Sequence, residues 1–433
     1  MNASHEYALD ALQLLIPPPE NRLPRSGPYY AWFNGLTLAL FVAMAGMARR
    51  QGTWPIRLAV FPFAMLAMLR FIYGFVSDEE PQNRFFGTWG LQCCLKLVDY
   101  VRSPEPMLKL SELQSKDDRA KSPQHTSTWD YLLSPLHFIY DAFELMVTFR
   151  GFDWQFGQEI GLRKPDHWTP TTSRARFVFD SLYIVLRGLL LCDVSQTILQ
   201  MAGVLGVERH SMFAFGGSNM LARYATSTAL HFVSSILIIY GMEFIYGVCS
   251  LVGVLLCGSS PASWPPLFDN PWISTSLHDL WGRRWHQLLR RSCLIAGGYP
   301  LATVVARITS IAKGNSSSNP DKKSLGRISL HPTPVAIGTL LTSGILHHWD
   351  YYAQRSGRMP GFSTIAFFSA QGAALALERE WKKITGKPVH GFWGWLWTLF
   401  WMGIVAQPLC KWTSFSNSWS TSRQLIVVRV AWI

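Results

Sequence analysis

The chain has 433 residues, of which 39 are Lys or Arg and 27 are Asp or Glu, a charged fraction of 15% against the roughly 25% usual for soluble domains. Apolar residues make up 49% and aromatics 14%, with 19 Trp. This excludes disordered and fibrous classes and argues against an ordinary soluble protein; it fits a chain whose solvent is partly lipid and partly the headgroup interface. A net charge of +12 would raise the question of nucleic acid in a soluble protein. Here it points to loops facing anionic lipid or an anionic ligand, and no nucleic-acid partner is expected.

Residues 1–28 form an N-terminal segment without the basic start and long apolar core of a cleaved signal, so the first span does the targeting. Tyr29 to Ala48 is an uncharged run long enough to cross a hydrocarbon core. Leu58 to Phe75 follows, interrupted only by Arg70. Further spans are expected at Ser181 to Val207, Thr226 to Leu256, Ser292 to Ile311, Pro334 to Trp349, Phe362 to Leu377 and Phe392 to Cys410. Tyr131 to Phe149 is apolar but carries His137, Asp141 and Glu144, and reads as an interfacial or re-entrant helix. The expected fold is an all-α polytopic membrane protein with about eight transmembrane helices, forming a single multi-span domain over residues 29–433. The stretches 77–130 (SDEEPQ, SKDDRAKS) and 313–332 (KGNSSSNPDKKS) read as solvated linkers. Sequons at Asn2 and Asn315 are too short to carry weight. Orientation is contradictory: Arg49, Arg50 and Arg57 draw one loop to the cytoplasm, while Arg283, Arg284, Arg290 and Arg291 draw another that the span count places opposite.

The seven Cys include no CxxC pair and read as small buried hydrophobes. No spacing among His278, His286, His347 and His348 matches a zinc signature, so no metal site is expected.

Chemistry concentrates in two places. In Phe268 to Arg291, FDNPWISTSLHDLWGRRWHQLLRR, Asp279, four Arg and two His sit among Trp272, Trp281 and Trp285. If Ser276 caps a helix starting near Leu277, then Asp279, Arg283, His286 and Arg290 share a face. The plainer reading is an interfacial helix with Trp at the headgroups and Arg on phosphates. In Leu341 to Asp350, LTSGILHHWD, His347 and His348 close an otherwise uncharged span. A neutral imidazole there can take a proton from a hydroxyl as general base; the plainer reading puts the pair at the water boundary. A transporter using Arg70, Arg187, Asp193 and Glu243 is the competing class, but these charges read better as anchors between helices.

The combination of SLHDLWGRRWH at Ser276 to His286, SGILHH at Ser343 to His348 and FFSAQGAALALE at Phe367 to Glu378 resembles the wax synthase-like branch of the membrane-bound O-acyltransferases. RGFDWQFG at Arg150 to Gly157 is similar to a segment common in fungal secondary-metabolite acetyltransferases of that branch. The resemblance is strongest over residues 150–410. It implies an intramembrane reaction chamber in which an acyl group, acetyl in this subgroup, passes from acyl-CoA to a hydroxyl of a lipophilic acceptor such as a terpenoid or meroterpenoid. Relatives that make long-chain wax or sterol esters are the alternative. His347 matches the family base, with His348 as the other candidate, because it replaces the acidic residue often found there. His286 would polarise the thioester carbonyl, and Asp279 would hold Arg283 or orient His286. Arg283, Arg284, Trp285 and Arg290 are the expected acyl-CoA contacts; Arg291 adds a further donor for phosphate. No cofactor beyond the acyl-CoA cosubstrate is implied, and the endoplasmic reticulum membrane is the expected location.

Overall fold

The computed structural model describes residues 13, 15–78, 80–113, 135–160, 165, 173–203, 217, 219–312, 331–354 and 362–405. Both sequons, SKDDRAKS, most of the 313–332 stretch and the end of the last expected span lie outside the described residues. The chain forms two compact units: residues 1–162 with 288–359, and residues 163–287 with 360–433.

In the first unit, α1 (Gly27–Ala48), α2 (Trp54–Tyr73), α3 (Glu80–Arg102) and α4 (Pro135–Val147) pack together. Helix α1 has 22 residues, about 33 Å at 1.5 Å per residue, and carries Pro28 in its first turn, where a missing N–H costs nothing. A short parallel pairing, β1 (Leu23–Pro24) with β2 (Phe75–Val76), ties the segment before α1 to the end of α2. The polar stretch expected as a linker holds α3 instead. Its buried stripe of Asn83, Gln92, Cys93, Lys96, Leu97 and Tyr100 follows helical spacing, and the amide of Gln92 and the ammonium of Lys96 find acceptors on distant parts of the unit. Gln92 Nε2 donates to Ser292 Oγ at 2.8 Å, and Lys96 Nζ donates to the Leu145 and Thr148 carbonyls at 2.6 and 2.9 Å.

Helix α4 is amphipathic in an inverted sense. Leu136, Ile139, Tyr140, Phe143 and Val147 face outward, while Asp141 reaches Arg50 at 2.9 Å and Glu144 takes a bond from Lys109 at 2.6 Å. With 13 residues it is too short to cross a bilayer, as its charges suggested.

The basic loop residues that made the orientation contradictory are largely structural. Arg49 forms a bidentate pair with Glu112 (2.9 and 2.6 Å), Arg50 pairs with Asp141, and the fully buried Arg57 donates to the carbonyls of Tyr100 and Pro104. Charges committed inside the protein say little about the side of the membrane.

Helix α8, in the same unit, starts as Arg290–Cys293, passes through a π segment at Leu294–Gly298 and continues as Tyr299–Ala312. It crosses α9 (Pro332–Tyr352) at glycines. A Cβ on Gly338 would lie 2.4 Å from the Gly297 carbonyl oxygen, and one on Gly297 2.5 Å from that of Gly338. Backbone cannot yield as a side chain can, so Gly338→Ala is expected to force the helices apart at a cost of about 1–3 kcal/mol. Thermal unfolding in detergent should show Tm several degrees lower; an unchanged Tm would refute the close crossing.

In the second unit, α5 (Arg174–Met201) and α6 (Met220–Leu255) form a long helical pair. Ser173 and Asn219 cap them, accepting from Arg176 N and from Leu221 and Ala222 N. Gly188 and Gly247 let the helices approach, and Arg187 pairs with Glu243 across them. Two of the charges weighed for a transporter thus form an interhelical anchor. The unit is completed by α7 (Leu277–Asp279), α10 (Ser363–Thr385) and α11 (Gly391–Phe400), which runs into a π segment at Trp401–Val405.

Each of the eight expected spans is mostly helical where described, though Leu58 to Phe75 leaves helix at Gly74 and ends in β2. Among the described residues, four helices are long and apolar enough to cross a membrane: Gly27–Ala48, Trp54–Tyr73, Met220–Leu255 and Arg290–Ile311.

Candidate active site

Near the start of the Trp/Arg segment, Asn270 has a left-handed backbone (φ 45°) that suits Asn better than most residues. After a turn at Pro271–Ile273, Ser276 caps α7 as expected: its Oγ accepts from Asp279 N at 2.9 Å, while Asp279 Oδ2 accepts from Thr275 N at 3.3 Å. Beyond Asp279 the expectation of one continuous α-helix fails. Leu280–Arg284 is a π segment, closed by a bond from Trp285 N to the Leu280 carbonyl at 2.8 Å, and Trp285 has extended backbone (ψ 147°). The helix therefore stops before His286. Asp279 and Arg283 share a face, whereas His286 lies past the break and Arg290 opens α8 in the other unit. The break is held by Arg284, whose carbonyl accepts from Asp269 N at 3.0 Å.

Asp279 holds Arg283, one of its two expected roles, and Arg284 as well. Its Oδ1 accepts from Arg283 Nε at 3.1 Å and its Oδ2 from Arg284 Nε at 2.6 Å. Arg284 Nη1 also donates to the Asp269 carbonyl at 2.9 Å. Two guanidinium groups against this carboxylate, with the Asp269 carboxylate 3.8 Å from Arg283, make a rigid, partly exposed charged cluster. Trp285 and His286 sit beside it, each packed edge-on against Phe268 at centroid distances of 5.2 and 5.8 Å.

The residue that fastens this segment is Glu378, which the sequence left between a chamber role and a mere helix end. Its Oε1 accepts from Leu277 N at 2.7 Å and from Trp397 Nε1 at 2.9 Å, and its Oε2 from His278 N at 2.9 Å. A buried carboxylate thus satisfies the N-terminal amides of α7, where helical N–H groups have no partner of their own and favour negative charge. Seven residues earlier, on the same face of α10, Gln371 Oε1 accepts from Trp281 Nε1 at 3.2 Å. The signal was present: after Ser369, Gln371 and Glu378 are the remaining polar positions of FFSAQGAALALE, two helical turns apart.

In the first unit, His347 and His348 lie on α9, one turn before its end at Tyr352. The helix continues past them, so they do not terminate it as the apolar run suggested. His348 is buried and His347 half-buried; neighbours on a helix point about 100° apart, so a given point is served by only one of them. The end of α9 is held by Arg22, which donates to the Gln354 and Tyr352 carbonyls, each at 2.7 Å.

RGFDWQFG is also built into the first unit. Arg291 makes a bidentate pair with Asp99 (2.6 and 2.9 Å), donates to the Phe156 carbonyl at 3.2 Å and stacks on the Phe156 ring at 4.5 Å. Arg291, read from sequence as a phosphate donor, is therefore engaged by an internal carboxylate. Nearby, burial pulls the Lys96 ammonium down to about 8.

Residues 264–369, spanning the Trp/Arg segment and the histidine helix, match the membrane bound O-acyl transferase family. The chain is 23% identical over 390 residues to an acetyltransferase of Arthrobotrys oligospora, covering 80% of this chain and 73% of that protein. An acetyltransferase of Rhodocybe pseudopiperita is 26% identical over 275 residues (59% of this chain, 62% of that protein). One of Calcarisporium arbuscula is 22% identical over 274 residues (57% and 62%). No solved structure matches. These likenesses agree with the resemblance read from the motifs and support an acyltransferase enzyme, similar to the membrane-bound O-acyltransferases over residues 264–369 and to fungal acetyltransferases over more of its length.

Proposed function

We propose that this acyltransferase moves an acetyl group from acetyl-CoA to a hydroxyl of a lipophilic secondary metabolite, a terpenoid or meroterpenoid, by direct transfer. The observation that carries the reading is the arginine cluster around Asp279. It is held by Glu378 and lies within the stretch that matches the family. In the proposed reaction His347 takes the hydroxyl proton as the acceptor oxygen bonds to the thioester carbonyl carbon. The C–S bond then breaks, and the CoA thiolate leaves and is protonated. His286 polarises the carbonyl as the oxyanion develops. Arg283, Arg284, Trp285 and Arg290 contact CoA, whose phosphates suit planar guanidinium donors. No acyl-enzyme is required.

The same reading takes the chain as one acyltransferase domain with about eight spans around a chamber, in the endoplasmic reticulum membrane. A polycyclic alcohol partitions into the bilayer and reaches such a chamber laterally.

The test supplies membranes with radiolabelled acetyl-CoA and a lipophilic extract of the source organism. Label in a base-labile neutral ester is the expected result. Label only with palmitoyl-CoA would overturn the donor assignment in favour of wax or sterol ester synthesis. If neither donor gives label with an extract known to contain hydroxylated terpenoids, the reading fails.

Arg284→Ala is expected to raise the KM for acetyl-CoA by about tenfold, the loss of one charge-assisted contact, and the acceptor KM far less. Equal changes in both would point to a purely structural role for the pair with Asp279.

A further inference from the structure

In the second unit Trp281, Trp285, Trp397 and Trp401 pack around Leu277, Leu280 and Ala374. Trp281 and Trp285 meet at a centroid distance of 5.6 Å, and Trp397 and Trp401 at 5.2 Å. Two polar atoms in this aromatic cluster stand out. Gln371 is completely buried; its Oε1 is fixed by Trp281, which also fixes the direction of its Nε2. Among the described residues neither Gln371 Nε2 nor Trp401 Nε1 has a hydrogen-bond partner, although both atoms are buried. Such donors are destabilising unless an acceptor reaches them. In the same cluster Trp397 spends its indole N–H on Glu378, and Trp281 spends its own on Gln371.

We propose that the tryptophan cluster is a subsite for a carbonyl group carried by a bound substrate, with Gln371 Nε2 and Trp401 Nε1 as the donors to its oxygen. Both unspent atoms are donors, so the group they take is an acceptor. The reacting hydroxyl does not fit this requirement, because two donors on its oxygen would occupy both lone pairs and leave none to attack the thioester carbon. A carbonyl oxygen fits, and the flat aromatic walls suit an apolar body attached to it. Two sources carry that chemistry: acyl-CoA, through its thioester or pantetheine amides, and an acceptor bearing a ketone or lactone. The choice of these ligands rests on the acyl-transfer reading above.

Equilibrium binding to the purified full-length protein in detergent tests the subsite, with radiolabelled acetyl-CoA and radiolabelled pregnenolone, a polycyclic hydroxyketone, as probes. Trp401→Phe removes the N–H and keeps an aromatic ring; Gln371→Met removes the amide at similar volume. Each variant is expected to raise the Kd of one probe about tenfold, as for one neutral hydrogen bond, and to leave the other within twofold. Weakened acetyl-CoA assigns the carbonyl to the donor, and weakened pregnenolone assigns it to the acceptor. The subsite is overturned if both affinities are unchanged, as removal of an unpartnered donor would give, or if both fall together with a lowered Tm, as general damage would give. Because binding is read without turnover, a wild type that binds a probe but forms no ester defeats the acyl-transfer reading and leaves this inference standing.

Discussion

His347→Ala is expected to lower ester formation by about 10²–10⁴-fold, the usual contribution of a positioned general base, with the protein still expressed and inserted in the membrane. The half-buried imidazole lies on α9, whose far end is fastened by Arg22, so truncating it leaves the helix anchored. His348 provides the internal comparison. It points about 100° away along the helix and is buried in its unit, so His348→Ala is expected to lower Tm while sparing most of the turnover rate. The measurement is initial rate with labelled acetyl-CoA at matched protein levels, alongside thermal unfolding of each variant. Near wild-type rate for His347→Ala would remove the proposed base, and the reverse pattern would move that role to His348.

Glu378→Ala is expected to be the most damaging single change to the fold of the site. It strips the acceptors from Leu277 N, His278 N and Trp397 Nε1, and each buried donor left unsatisfied costs about 1–3 kcal/mol. Several such losses are a large part of the stability of a typical domain. Glu378→Gln keeps one acceptor oxygen but turns an N–H toward another donor, so it should fall between the wild type and Ala. The readouts are Tm in detergent and the KM for acetyl-CoA, since the segment carrying Arg283 and Arg284 starts at the amides Glu378 holds. A Tm for Glu378→Ala equal to that of the wild type would show that the segment is fastened elsewhere.

Much of this was legible in the residues, for identifiable reasons. Apolar runs report burial in lipid or protein directly, so most of the long helices between Gly27 and Val405 overlap the runs that hydropathy picked out. The Ser276 cap and the Asp279–Arg283 pair follow from spacings of three and four, which are local properties of a helix. Helix α3 was not legible as a packed element, because Asn83, Gln92, Lys96 and Asp99 look solvated until their partners Ser77, Ser292, Leu145 and Arg291 are known. Those partners lie up to 200 residues away. The same long-range pairing misled the reading of the basic loops, since a sequence does not show that Arg50 belongs to Asp141 or Arg291 to Asp99. Glu378 was ambiguous for a related reason: a carboxylate at the end of an apolar run looks like a helix terminus, and its three donors come from two other elements.

The π segment at Leu280–Arg284 has a consequence for comparing this chain with others. Such a segment holds one residue more than an α-helical path of the same span, so it stores a one-residue offset between Asp279 and Trp285. Two chains that differ by a single insertion or deletion at this point can keep the flanking Ser276 cap and the Phe268–Trp285 contact in the same places. A gap of one residue in an alignment here marks a change in local winding, and side chains downstream of it keep their facing.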